Sequence, residues 1–165
     1  MLFLVAITLL LGNPSFKTDN PQFIYLELSG TAYQRGYRHG SELKDKIYEL
    51  VDKWKKSIEY VYKVPADDFV RNFVKTTDFI SDIRKETPDL LEEVKGIADG
   101  CGLDFETIYA FQLVDEMWFN GEQVMADKCT CLSVKKNGMY PTLASQNLDI
   151  PKFYHGYQTV LKIKE

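Results

Sequence analysis

The chain is short of several things, and each shortage closes a door. It has no excess of positive charge: 20 Lys and Arg stand against 24 Asp and Glu, a net charge of -4. No basic field is present to draw nucleic acid, so no nucleic-acid partner is expected. Charge runs such as "DKWKK" alternate in sign and read as solvated helix faces. Histidine occurs only at His39 and His155, and neither has metal-ligand spacing to a partner. No metal and no cofactor are expected. Cysteine occurs three times, an odd number that does not suit a closed disulfide framework. Cys129 and Cys131 sit too close along a strand to pair comfortably, so at least one thiol should be free.

A long hydrophobic run is also missing. Residues 2–11, "LFLVAITLLL", are apolar but too short to span a bilayer as a helix, so no stable membrane span is expected. The run suits the apolar core of a secretory leader over residues 1–19, though a basic start and a small-x-small cleavage site are lacking. A leader implies a secreted or periplasmic protein. The alternatives are an N-terminal strand or a misassigned start, with a cytoplasmic location.

What is present is enough for a core: 45% of the 165 residues are apolar, with ten Phe and ten Tyr. "FIYLELSG" (23–30) reads as a first strand ending at Gly30. From Thr31 to about Lys63 the period is helical, with Leu43, Ile47, Leu50, Val51, Trp54, Ile58 and Val61 on one stripe and Pro65 closing it. "DDFVRNFVKTTDFISDIRK" carries a second stripe through Phe69, Phe73, Ile80 and Ile83. Thr87-Pro88 reads as a cap with proline in the first turn, and the helix it opens is expected to stop at Gly100. Asp104 is the expected N-cap of "FETIYAFQLVDEMW".

The texture changes after Gly121. "CTCLSVKK" alternates, placing Cys129, Cys131 and Ser133 on one face. Asn137-Gly138 signals a hairpin, "MYPTLASQNLD" returns, and "YQTVLKIKE" reads as a further strand. Helices followed by strands make the class α+β. A two-residue Asn137-Gly138 turn would set Val134 opposite Pro141 and Cys129 opposite Gln146, with Asn147 and Asp149 close by. Pro141 argues for an edge or a bulge that shifts this register.

One thiol, two amides and a carboxylate at one end of a hairpin admit four readings. Cys129 and Cys131 with a histidine could ligate a metal. Cys129 could pair with His155 as a cysteine protease. The cysteines could simply be buried structural residues of a non-catalytic helical protein. Or Cys129 could be an N-terminal nucleophile. In that last case the bond before it is cut, and its own freed α-amino group, pKa about 8, acts as base. Neighbouring amides and backbone N–H groups would then form the oxyanion hole.

Three segments resemble one family. "LELSGTAYQRGYRHGSEL" (26–43) carries a Gly and then Tyr-x-Arg-Gly-x-x-x-Gly. "LEEVKGIADGCGLDFETIYAFQLVDE" (91–116) carries Glu-x-x-Gly-Ile-Ala-x-Gly-x-Gly and runs to a Glu. "DKCTCLSVKKNGMYPTLASQNLD" (127–149) carries Cys-Thr, a hairpin and Gln-Asn-x-Asp. In order and spacing they resemble the acyl-coenzyme A:6-aminopenicillanic acid acyltransferase family of self-processing, N-terminal-nucleophile (Ntn) acyltransferases and hydrolases.

The resemblance implies part of a four-layer αββα sandwich. Residues 20–128 would be the mainly helical α-chain or pro-segment, and 129–165 the start of the β-chain. Cys129 would be the nucleophile and Lys128–Cys129 the self-cleaved bond of a zymogen. Asp149 would serve processing and catalysis, with Asn147 beside it. Arg35 and Glu116 fall on motif positions and read first as structural. The substrates would be a small-molecule acyl donor, an amide or a thioester such as an acyl-CoA, with an amine or water as acceptor. The processed chains would stay associated as a heterodimer. Two features depart from the pattern. The family has Gly where this chain has Lys128, and glycine eases the strained backbone of an N-to-S acyl shift. The fold also needs far more chain than 165 residues, so this sequence reads as a fragment or truncated frame.

Overall fold

The computed structural model describes residues 5–7, 24–119, 129–138, 141–147 and 150–164. Its class is mixed α+β. The chain divides into two compact units, one drawing on residues 22–124 and 153–165, the other on residues 1–21 and 125–152.

In the helical unit, strand β2 (Ile24–Ser29) leads into α1 (Ala32–Glu42) through Gly30, φ +97°. Thr31 caps α1 reciprocally: its hydroxyl accepts from Gln34 N, and the Gln34 side chain accepts from Thr31 N at 2.9 Å. The single helix expected from Thr31 to Lys63 is in fact two. The chain leaves helical geometry at Leu43 (φ -107°, ψ 17°) and restarts as α2 (Lys44–Tyr62). Val51, Trp54 and Ile58 are buried as the stripe requires, but Val61 is exposed. Tyr62 turns inward instead and stacks on Phe69 at 4.4 Å between centroids. The helix ends at Lys63 in the left-handed region, before Pro65.

The second apolar stripe is likewise divided, into α3 (Ala66–Thr77) and α4 (Phe79–Glu86), by Asp78 at φ 48°. Ala66, Val70 and Phe73 are its buried members. Helix α5 (Pro88–Cys101) starts with proline in its first turn as expected, but Thr87 gives it no side-chain cap. Its end corrects the sequence reading. Gly100 is still helical, and Gly102, at φ +79°, is the terminating glycine. Asp104 caps α6 (Phe105–Gln112) by accepting from Thr107 N at 2.8 Å, and α7 (Val114–Phe119) follows.

Gly100 has another use. Helices α1 and α5 touch backbone to backbone along Gly36, Gly40, Gly96 and Gly100. A Cβ at Gly36 would meet the Glu93 carbonyl, and one at Gly40 the Ile97 carbonyl. From the other side, Gly96 faces the Tyr33 carbonyl and Gly100 the Tyr37 carbonyl. Spacing of four puts both glycines of each helix on one face. Beneath them Trp54, Ile97, Ala98, Cys101, Ile108, Ala110 and Met117 form the core.

Strand β5 (Thr159–Lys164) pairs in parallel with β2, residue for residue from Ile24↔Thr159 to Ser29↔Lys164. Leu26 and Leu28 on β2 are buried, while their partners Leu161 and Ile163 are exposed. Glu27 bonds Lys162 and Lys164 across the pair. Just before β5, Tyr157 takes a hydrogen bond from Lys53 Nζ at 2.7 Å, with Lys46 and Lys53 over its ring.

The second unit is an antiparallel sheet in the order β1-β4-β3, formed by β1 (Val5–Ile7), β4 (Leu143–Asn147) and β3 (Thr130–Val134). Val5–Ile7, inside the segment expected as a leader, pairs with Ala144–Gln146.

Candidate functional site

The hairpin forms, but its register differs from that of a two-residue turn. Val134 pairs with Leu143 rather than Pro141, Cys131 with Gln146 rather than Ala144, and Thr130 with Asn147. The pairing has slipped by two residues. Proline has no N–H to give a ladder, which favours opening the loop around Pro141 over pairing it. Lys136 N instead donates to Thr142 Oγ1 at 3.3 Å across the wider loop.

The slip has a limited effect. Side chains alternate with period two, so a shift of two keeps every residue on its face, where a shift of one would reverse them all. Gln146 remains on the cysteine face, but opposite Cys131, so Cys129 is no longer its direct partner. Asn147 pairs with Thr130 and is directly opposite neither cysteine. The predicted cluster is thus only partly assembled. Asp149 and Lys128 lie outside the described residues.

The three cysteines separate by environment. All are free. Cys101 is fully buried in the core and directs its Sγ at Ala98 O, 3.5 Å away; burial pushes its thiol up, away from the reactive thiolate. Cys129 and Cys131 are both exposed. Cys131 is a strand residue, whereas Cys129 is the residue immediately before the first residue of β3, an edge strand of the sheet that the described residues form. Cys129 therefore combines an accessible thiol with a position just before β3.

The other motif residues fall in the helical unit. Arg35 donates through Nε and Nη2 to Glu93 Oε2, at 3.3 and 3.0 Å, and through Nη1 to Gly30 O at 2.9 Å. It clamps the β2–α1 turn to α5. Glu93, its partner, was missed as a functional position although it opens the Glu-x-x-Gly motif. Glu116 is an exposed residue of α7. His39 is half-buried on α1; burial depresses its pKa, and the Glu93 charge opposes that. His155 is exposed in the helical unit. Among the described residues no group of three or more His, Cys, Asp or Glu could hold a metal ion. No helix among them is long and apolar enough to cross a membrane.

Two proteins of Dictyostelium discoideum are similar to this chain. Protein dcd1A is 32% identical over 107 residues, covering 56% of this chain and 24% of dcd1A. Protein dcd1B is 25% identical over 120 residues, covering 62% of this chain and 24% of dcd1B. The chain therefore spans about a quarter of the length of the curated relatives it matches. No protein-family model matches it.

The structure adds one arrangement that the sequence did not disclose. Strand β5 lies beyond Cys129 in the chain, and β2 lies before it, yet the two pair over six residues. The Glu27 ion pairs and the Tyr157 contacts reinforce this join. A cut between Lys128 and Cys129 would leave it intact.

Proposed function

We propose that the chain is the N-terminal part of a self-processing Ntn-type acyltransferase or amide hydrolase with Cys129 as nucleophile. The observation that carries this reading is the placement of Cys129: a free, exposed thiol at the entry to an edge strand, following a helical segment. The three motif segments resembling the acyl-coenzyme A:6-aminopenicillanic acid acyltransferase family support it.

In the proposed chemistry Cys129 Sγ attacks the Lys128 carbonyl, the peptide nitrogen leaves as an amine, and a thioester links Lys128 to the sulfur. Water hydrolyses that thioester, releasing a Lys128 carboxylate and a Cys129 that carries both a free thiol and a free α-amino group. With a pKa of about 8, the amino group accepts the thiol proton near neutral pH. The thiolate then attacks an acyl donor, an amide or a thioester, and its leaving group departs protonated. The acyl-enzyme thioester passes its acyl group to an amine or to water. The β2–β5 pairing supports the two processed chains remaining together as a heterodimer. An αββα sandwich is part of this proposal, as is export. Removal of a leader would take Val5–Ile7 from β4, so the mature N-terminus distinguishes leader from strand.

Intact mass and N-terminal sequencing of the expressed chain test the reading. A new terminus at Cys129 is expected, abolished in Cys129→Ala. A single uncut chain whose Cys129 fails to react with iodoacetamide would refute it.

A further inference from the structure

Cys131 has no part in the proposed chemistry, yet it is exposed and stands two residues from Cys129. We propose that Cys129 and Cys131 form a reversible disulfide by exchange with a low-molecular-weight disulfide such as oxidised glutathione. Both thiols are free and exposed, while Cys101 is buried in the other unit and does not compete.

An unbent strand does not let the two pair, so the bond depends on a local bend. At the rise of an extended strand, about 3.2–3.4 Å per residue, the two Cα atoms stand about 6.4–6.8 Å apart. Disulfides take Cα separations of about 4.4–6.8 Å but need the Cβ atoms within about 3.5–4.5 Å. The chain must therefore bend at Thr130. A residue inside a ladder resists that. Cys129 precedes β3, and Thr130 is its first residue, paired among the described residues with β4 on one side. Residues 129–138 are exposed throughout, so the bend displaces no buried side chain among the described residues.

These features make a switch rather than a staple. A ring closed over three residues removes little unfolded-state entropy, so it adds little stability. Residual strain raises the reduction potential, so the bond forms under oxidising conditions and yields to reduced glutathione. The exchange balances. One cysteine thiolate attacks a sulfur of oxidised glutathione and expels a glutathione thiolate, leaving a mixed disulfide. The second cysteine thiolate attacks the protein sulfur of that disulfide and expels the other. Two protein thiols are oxidised and one glutathione disulfide is reduced to two thiols. The consequence rests on Cys129 being the nucleophile: while the disulfide lasts, Cys129 can attack neither the Lys128 carbonyl nor an acyl donor.

The test equilibrates the full chain in glutathione buffers of rising oxidised fraction, followed by acid quench, intact mass and peptide mapping. Wild type is expected to lose two hydrogens with the link mapped to Cys129–Cys131, and to regain them with dithiothreitol. Cys131→Ser is expected to accumulate a glutathione adduct at Cys129 instead. The proposal is overturned if wild type carries glutathione on each cysteine without losing two hydrogens at any ratio, or if the link maps between two copies of the chain. Cleavage is read separately. A new terminus at Cys129 that appears only after reduction supports the switch. The same terminus at equal rates in both buffers overturns the switch and keeps the nucleophile. The disulfide with no terminus in either buffer supports the disulfide and overturns the nucleophile.

Discussion

Replacing Gly36 by alanine separates two opposite expectations about the α1–α5 pair. On a solvated helix face, Gly→Ala stabilises by about 1 kcal/mol, because alanine is the better helix former. At Gly36 the new methyl would lie 2.8 Å from the Glu93 carbonyl carbon, nearer still to its oxygen, and 3.0 Å from Ile97 N. Those atoms are backbone in the interior of α5 (88–101) and cannot rotate away as a side chain could. Relief requires the two helices to separate. Overpacking of this kind costs about 1–3 kcal/mol, and immovable backbone puts Gly36 at the upper end. Less the helix-propensity gain, the net loss is about 2 kcal/mol. With a urea m-value of about 2 kcal/mol per molar, the unfolding midpoint falls by about 1 M, read by helical circular dichroism. Glu92→Ala, on the exposed face of α5, serves as control and stays within about 0.5 kcal/mol. Gly36→Ala combined with Gly96→Ala costs less than the sum, since the first substitution has already parted the helices. A Gly36→Ala midpoint equal to wild type, or above it, would refute the close approach.

Lys128→Gly should speed the appearance of a Cys129 terminus, because glycine relieves the backbone strain of the acyl shift; an unchanged time course by mass spectrometry counts against the proposed junction. Arg35→Lys should cost about 1–2 kcal/mol in thermal or urea unfolding, since one ammonium cannot serve both the Glu93 carboxylate and the Gly30 carbonyl. A loss under about 0.3 kcal/mol would show the clamp to be idle. The Lys164 and Lys162 ammonium groups pull Glu27 down to about 2. Its folded pKa is thus below its unfolded one, so its contribution is present above about pH 4.5 and is lost as pH falls toward 2. Glu27→Gln should flatten that part of the stability–pH curve, and high salt should weaken it, because the pairs are exposed. His39, depressed by burial, adds a loss with the same sign that begins as pH falls below about 6.5, removed in His39→Gln.

Much of the helical unit was legible, because its signals are local. Apolar spacing located the faces of Val51, Trp54, Ile58 and Phe73. Asp104 and Pro88 marked helix starts by properties they carry in any setting. The breaks at Leu43 and Asp78 were not legible. Neither is a glycine or a proline, and aspartate enters the left-handed region without any sequence flag beyond a modest enrichment. Gly100 was misread for a more instructive reason. A glycine near a helix end has two possible uses, a terminal turn or a close approach, and periodicity along one helix cannot separate them. The pairing could: Gly36 and Gly40 recur at the same spacing as Gly96 and Gly100, and two such pairs let two helices meet without side chains between them. The β2–β5 join was illegible, because parallel pairing between distant segments leaves no local mark at either strand.

The hairpin shows where sequence stops being sufficient for a site. Asn137-Gly138 marks the turn, and alternation assigns faces, so Cys131 and Gln146 share one side, as directly opposed residues do. Register is a different quantity. It depends on how many residues the loop takes up, and Pro141 shifts that balance by refusing a ladder bond. The slip of two residues leaves the faces unchanged and moves Gln146 from Cys129 to Cys131. An amide placed by register alone was therefore set opposite the wrong cysteine. What survives for Cys129 is independent of register: it precedes the strand and it is exposed. Those properties suit the proposed attack on its own preceding carbonyl. They are also the ones that let it bend toward Cys131, so the reactivity proposed for this thiol and its proposed sensitivity to oxidation share one structural origin.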